Sequence, residues 1–488
     1  MKRSDSKISR ESKSKSKTVK KKVVRKKQPS RDRHLIDTHY RNKIVFEVPF
    51  LKKKFSLYWK LILGSFVFWL LLVNYYEHVF PKRALQRCDW SRWEHWPKVG
   101  NGPANSHKVA LFADPQIMDD FSYPGRPRIV NYFTRLLLDH YHARNWKYVH
   151  YYLNPETTIF LGDLFDGGRN WDDDLWMEEY NRFQRIFPKK PTTKTIMSLP
   201  GNHDIGFGDT VIQSSLERFS TYFGETSRSL DIGNHTFVLL DTISLSDTVN
   251  PNVSSIPREF LDAWGMVDHP YPRILLTHVP LYRNPKVQKC GPERESKDDF
   301  PISYGEQYQT AILPSLTDEI LRRIEPVYVF SGDDHDYCHI KHNFYGENGL
   351  LREADEITVK SCAMNMGIRK PAIQLVSLLN DPTKTPTGPT IETEICYLPD
   401  SFRPLWMYAI ALVLNLSVIC IYIWNSRKSH KGVSSKDLPM PVSVDDGKPK
   451  RTLSKKTKSK RIVMDILFNM TALLQLVFTI FFVYYSLV

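Results

Sequence analysis

Apolar residues in this chain fall into two kinds of run. Three are long: 55–76, 405–424 and 462–488. Each can cross the ~30 Å hydrocarbon layer as a helix rising ~1.5 Å per residue. Lys60 lies near the start of the first, where it can snorkel to the interface, and Trp59, Tyr75 and Tyr76 suit the aromatic belts. Asn415, Asp465, Asn469 and Gln475 interrupt the other two. That is too little intramembrane charge for a transport pathway, and it reads as hydrogen bonding between anchors. The remaining runs are short: 108–113, 158–161, 195–199, 273–276 and 327–330. Each is strand-length, rich in β-branched or aromatic residues, and stops at a polar turn. A helical pattern over 176–187 follows the second. Strands alternating with helices predict an α/β fold whose ligands gather where strands end.

Charge sets the topology. The chain carries 68 Lys+Arg against 53 Asp+Glu, a net of +15. Residues 1–54 contribute +15 and residues 425–461 contribute +9, so the remainder is −9. The basic excess therefore lies outside the folded body, which argues against a soluble nucleic-acid binder. By the positive-inside rule both basic segments are cytosolic, and residues 77–404 face the lumen. The Ser- and Lys-rich tail 1–54 and loop 425–461 lack apolar periodicity and read as disordered, with attraction to anionic membrane lipids open to them. The first run is read as a retained span, because the basic region ahead of it is long and no small-residue cleavage site follows. Sequons at Asn234 and Asn252 agree with a lumenal body. So do Cys88, Cys290, Cys338, Cys362 and Cys396, all within 77–404. Cys88 and Cys396 each sit near a span and are a candidate pair, although connectivity is not readable from sequence.

The strand-end turns hold Asp114, Gln116, Asp163, Asp166, Asn202, His203, Asp204, His278, Asp333 and His335. Carboxylate, amide oxygen and imidazole form the donor set for Mn²⁺, Fe or Zn²⁺. One such residue at a strand end usually caps a turn. Five consecutive turns so equipped point to a metal centre. The series Asp114, Gly162-Asp163-Leu164-Phe165-Asp166, Gly201-Asn202-His203-Asp204, His278 and Gly332-Asp333-Asp334-His335 resembles the calcineurin-like metallophosphoesterases over roughly residues 107–380. Within that family it is similar to the membrane-anchored branch that remodels the GPI-anchor glycan. The segments Ser331–Cys338 and Met364–Gly367 place it nearest the fungal members of that branch.

The resemblance implies a four-layer α-β-β-α sandwich around two divalent ions. It implies that Asp163 bridges them, that Asp114 and His335 hold one with Gln116 as a weak candidate, and that Asn202, His278 and Asp333 hold the other. His203 is then the acid toward the departing oxygen, and Asp204 its orienting partner. Many family members have His at the positions of Gln116 and Asp333. The carboxylate at Asp333 makes the donor set harder, which predicts Mn²⁺ over Zn²⁺. Arg169 is a candidate phosphate contact or a surface arginine. The segment 171–176 is a candidate glycan rim or a helix start, and Tyr282 and Arg283 are weak candidates for substrate contact. The expected activity is removal of ethanolamine phosphate from a mannose of the GPI glycan, on GPI lipid or GPI-anchored proteins, in the membrane of the endoplasmic reticulum or Golgi. The alternatives are another phosphoester hydrolase, or a non-catalytic manganese-sensing adaptor.

Overall fold

The computed structural model describes residues 42–48, 53–96, 105–380, 389–429 and 455–486. Most of the expected tail 1–54 and loop 425–461 lies outside the described residues. The chain divides into two compact units, Met1–Gly64 with Tyr422–Ala472, and Ser65–Ile421 with Leu473–Val488.

In the first unit β1 (Ile44–Val48) and β2 (Lys53–Leu57) pair antiparallel. Residues 44–48 and 53–57 are thus paired strands where the sequence suggested the end of a tail and the start of a span. The helix begins at Trp59 instead, because the alternating residues before it are taken by strand pairing. Asp465 and Asn469 of the helix Lys455–Ser486 bond the end of β2. Ser56 N donates to Asp465 Oδ1 at 2.9 Å, and Tyr58 N donates to Asn469 Oδ1 at 2.9 Å.

The second unit is built on two sheets. Its strands are β3 (Ser106–Phe112), β4 (Thr157–Phe160), β5 (Lys194–Ile196), β6 (Arg228–Ile232), β7 (His235–Leu239), β8 (Arg273–Leu276), β9 (Tyr304–Gly305), β10 (Tyr308–Gln309), β11 (Tyr328–Ser331), β12 (Cys338–Tyr345), β13 (Leu351–Thr358), β14 (Ala372–Leu379) and β15 (Ile391–Tyr397). One sheet has the order β15-β14-β3-β4-β5, the other β12-β13-β11-β8-β7-β6, and β9 and β10 pair separately. Within them β3, β4 and β5 run parallel, as do β7, β8, β11 and β13.

Alternation along the central strands sorts side chains into layers. Val109, Leu111 and Ile159 from one sheet meet Phe237, Leu239, Ile274 and Phe330 from the other. The opposite faces, carrying Ala110, Phe112 and Phe160, or Val238, Leu275 and Val329, pack under helices through Trp146, Phe183, Leu261 and Ile320. Helices therefore cover both outer faces, and the four-layer α-β-β-α sandwich is present. Strands buried on both faces explain why these runs are continuously apolar.

Among the described residues three helices are long and apolar enough to cross a membrane: Trp59–Cys88, Phe402–Ser426 and Ser459–Ser486. Asn415 joins the first two, donating to Ser65 Oγ at 3.1 Å and accepting from Trp69 Nε1 at 3.1 Å. At the domain end of the first, Glu77 is buried. It accepts from Arg144 at 2.5 Å and from Tyr408 Oη at 3.0 Å, and pairs with His140 at 3.0 Å. This network ties two spans to the helix Arg128–Tyr148. Disulfides link Cys88 to Cys396, and Cys290 to Cys338.

Candidate metal centre

The parallel strands deliver their C-terminal turns to one place. Asp114 follows β3, Asp163 follows β4, Asn202 and His203 follow β5, His278 follows β8, and Asp333 and His335 follow β11. To turn this sharply the backbone enters the left-handed region at Asp114 (φ 48°), Gln116 (32°), Asp163 (50°), Asp333 (67°) and His335 (63°). Such positions cost about 1–3 kcal/mol each and persist where the surroundings over-determine them. Glycines give the turns room. A Cβ on Gly201 would lie 2.0 Å from Asp163 Oδ1, and one on Gly162 would lie 2.5 Å from His278 Nδ1.

Asp114, Asp163 and His278 each offer a donor atom, all within 4.8 Å of one another, and all three residues are buried. Asp333 joins them, its Oδ1 3.7 Å from His278 Nε2. His278 Nδ1 donates to the Leu161 carbonyl at 2.7 Å, which fixes the ring with Nε2 toward the carboxylates. Nε2 lies 3.4 Å from Asp163 Oδ1 and makes no hydrogen bond. Asp114 Oδ2 and Asn202 Oδ1 are likewise buried without a partner. Unpaired buried acceptors are costly, and here they converge.

The electrostatics ask for cations. Burial lifts the Asp114 carboxyl well above the usual range, against the pull of His278. Burial likewise raises Asp333 to about 7. For Asp163 burial is overcome by His278 and His203, and the group stays below the ordinary value. Burial also opposes charge on His278, but Asp163, Asp114 and Asp333 outweigh it and raise the ring to about 10. Three carboxylates thus crowd one imidazole, and burial with mutual repulsion disfavours charge on Asp114 and Asp333, a penalty that divalent ions beside them would relieve. The donor set and its orphaned atoms fit a metal centre.

The other expected residues are placed as follows. Gln116 reaches the site as a donor, its Nε2 bonding Asp163 Oδ2. His335 is half-buried on the same turn as Asp333, and burial lowers its ring to about 4. Asp334 turns away into an ion pair with Arg294, so Asp333 is the carboxylate of that turn at the centre.

His203 and Asp204 require a correction. Asp204 does not orient His203. Its carboxylate accepts from Gly201 N (2.9 Å), Leu164 N (3.1 Å) and Phe165 N (3.1 Å), pinning the second turn to the third. The partner of His203 is Asp166, whose carbonyl accepts from Nδ1 at 2.6 Å and whose carboxylate lies 3.5 Å away. Neighbours in a helical turn point about 100° apart, so adjacency in sequence misleads.

Arg169 is partly buried, and its Nε is buried without a hydrogen-bond partner. It donates to the Asn202 carbonyl at 2.9 Å and so holds that turn. Trp171 and Trp176 are buried in the core, and the helix Asp173–Ile186 starts between them, so 171–176 is not a rim. Arg283 is fully buried against Glu356 at 2.5 Å, which makes it structural.

Two contacts have no sequence signal: Ser361 Oγ donates to the Asp114 carbonyl at 2.9 Å, and Asn202 Nδ2 donates to the Gln307 carbonyl at 3.2 Å.

Residues 107–337 match the calcineurin-like phosphoesterase family. The chain is 53% identical over 458 residues to cell division control protein 1 of Saccharomyces cerevisiae, covering 89% of this chain and 92% of the yeast protein. It is also similar to metallophosphoesterase 1 of Gallus gallus, 25% identical over 61% of this chain and 77% of that protein. The Danio rerio metallophosphoesterase 1 is 29% identical over 54% and 71%. Strand-end donors, sandwich and likeness agree: this chain is a membrane-type member of the calcineurin-like metallophosphoesterase family, with the domain of metal-dependent phosphoester hydrolases.

Proposed function

We propose that the protein is a lumenal phosphodiesterase that removes ethanolamine phosphate from a mannose of the GPI-anchor glycan, in the membrane of the endoplasmic reticulum or Golgi. The observation that carries the reaction type is the convergence of Asp114, Asp163, Asp333 and His278, with Asp114 Oδ2 and His278 Nε2 buried and unpartnered among them. Two divalent ions would be held by Asp163 between them, with Asp114 and His335 toward one and Asn202, His278 and Asp333 toward the other, as the family resemblance implies. Such ions, when bound, neutralise the phosphodiester and acidify the attacking water.

The chain's own residues supply the rest. Asp166 occupies Nδ1 of His203, so Nε2 is left to give a proton to the departing alkoxide. The Asp166 carboxylate favours the imidazolium that this requires. His203 N donates to Asp163 Oδ1 at 2.9 Å, which fixes the acid beside the bridging carboxylate. The substrate rests on the family resemblance, supported by helices that suit a membrane-bound glycan.

His203→Ala should keep its metal and lose about 10²–10⁴-fold in hydrolysis of a soluble phosphodiester. GPI glycans from cells lacking the protein should accumulate ethanolamine phosphate. Unchanged glycans would leave another phosphoester as substrate, and full complementation by His203→Ala would leave only a sensor or adaptor. Metal replacement should favour Mn²⁺; clearly higher activity with Zn²⁺ would refute the ligand argument.

A further inference from the structure

A cavity lies where the domain meets the second span, and none of the residues of the metal centre lines it. It encloses about 850 Å³ between the loop containing Asn365 and Arg369 and the first turns of the helix Phe402–Ser429. Arg369 and Arg403 both line it. Among the described residues neither guanidinium has a carboxylate partner within 4.0 Å. The one carboxylate in the lining, Asp400, spends Oδ1 on the backbone N–H groups of Phe402 and Arg403, each at 3.0 Å. That carboxylate caps the first turn of the helix Phe402–Ser429, so the two guanidiniums and not the helix end are the cations of the lining. Asn365 Oδ1 is buried at the same cavity with no donor.

The cavity does not stand alone. Met407 lines it and also lines an apolar groove of about 390 Å³ between the first two spans, walled by Phe68, Leu72, Ile410 and Leu414. Trp406 is 69% exposed at the head of the span, where an indole suits the lipid interface. A lining with two guanidiniums that shares Met407 with an apolar groove between two spans suits an anionic head joined to an acyl chain.

We propose that this is a binding site for an anionic glycerophospholipid with a hydroxylated headgroup, of the phosphatidylinositol class. The phosphate sits between Arg369 and Arg403, a headgroup hydroxyl donates to Asn365 Oδ1, and one acyl chain lies along the groove. The inference rests on the helices crossing a membrane and not on which phosphoester the metal centre cuts.

The test uses the full-length protein, stripped of lipid in mild detergent and incubated with mixed micelles of phosphatidylinositol and phosphatidylcholine in equal amounts. Lipid retained after gel filtration is counted by mass spectrometry. The expected result is about one phosphatidylinositol per chain, with phosphatidylcholine lower, and a drop of about tenfold in the double variant Arg369→Glu, Arg403→Glu. Met407→Trp, which fills the junction of chamber and groove, should lower retention as well. Melting temperatures verify that each variant is folded. Equal retention of both lipids by the wild type, or undiminished retention in a folded variant, would overturn the proposal. Lipid retention is read without turnover, so failure here is distinct from failure of the diesterase reading.

Discussion

Gly201 has no room for a methyl group. Its backbone, at φ −107°, would accept any residue, so the constraint is contact alone: an added Cβ meets Asp163 Oδ1 at 2.0 Å. Gly201→Ala should displace the carboxylate and lose about a hundredfold in activity, with metal content falling in parallel; retained metal and turnover would show that Asp163 is not the keystone of the centre. The carboxylates beside it separate by role. Asp204→Ala strips three backbone N–H groups of their acceptor and should cost about 2–4 kcal/mol in denaturant melts. Asp166→Asn keeps the carbonyl that orients His203, so it should reduce turnover while leaving stability within about 1 kcal/mol of the wild type. The Gly-Asp-x-x-Asp and Gly-Asn-His-Asp motifs made every one of these positions visible in the sequence. Their pairing was not visible, because which carboxylate meets His203 depends on how two turns face one another across the sheet.

Elements explain which strands could be read. The runs ahead of Asp114, Asp163, Asn202, His278 and Asp333 stand out because an apolar stretch stops abruptly at ligands. The strands β12 to β15 close both sheets yet carry no ligands at their ends, and the strand-end signal passes over them. One of them holds a buried charge group that the motifs do not announce. Glu356 on β13 accepts from Leu281 N (3.1 Å) and Ser331 Oγ (3.0 Å) and pairs with His342 at 2.6 Å and Arg283 at 2.5 Å. Burial opposes its ionisation, but Arg283 and His342 hold its carboxyl below the ordinary 4.5. A depressed folded-state value means the group stabilises the fold above its unfolded value, and that this stabilisation is lost as pH falls through the lower, folded value. Glu356→Gln should therefore be destabilised by about 3–5 kcal/mol at neutral pH, with the gap to the wild type closing below about pH 4. Urea melts from pH 7 to pH 3 measure this; a gap that widens on acidification would contradict it.

At the scale of the whole molecule, charge pattern and hydropathy marked three spans, and the structure has three helices of the required length. The strand pair before the first was hidden, because β1 and β2 have only five residues each and their pairing leaves no mark in the hydropathy pattern. Orientation gives a prediction of its own. A lumenal body exposes Asn252, in the first turn of the helix Pro251–Trp264, to glycosylation. The protein from intact cells should shift on a gel after glycosidase treatment, less so for Asn252→Gln and not at all when Asn234→Gln is added; an unshifted wild type would reverse the topology.

The Cys88–Cys396 bond has one more consequence. It joins residues 308 positions apart, one at the very end of the first long apolar helix and the other just before the second. Any protease nick in the chain between them leaves both pieces covalently joined at the stalk. A singly cleaved protein would still migrate as a single species until reductant is added, and releasing the domain would take a second cut or thiol exchange that opens the staple.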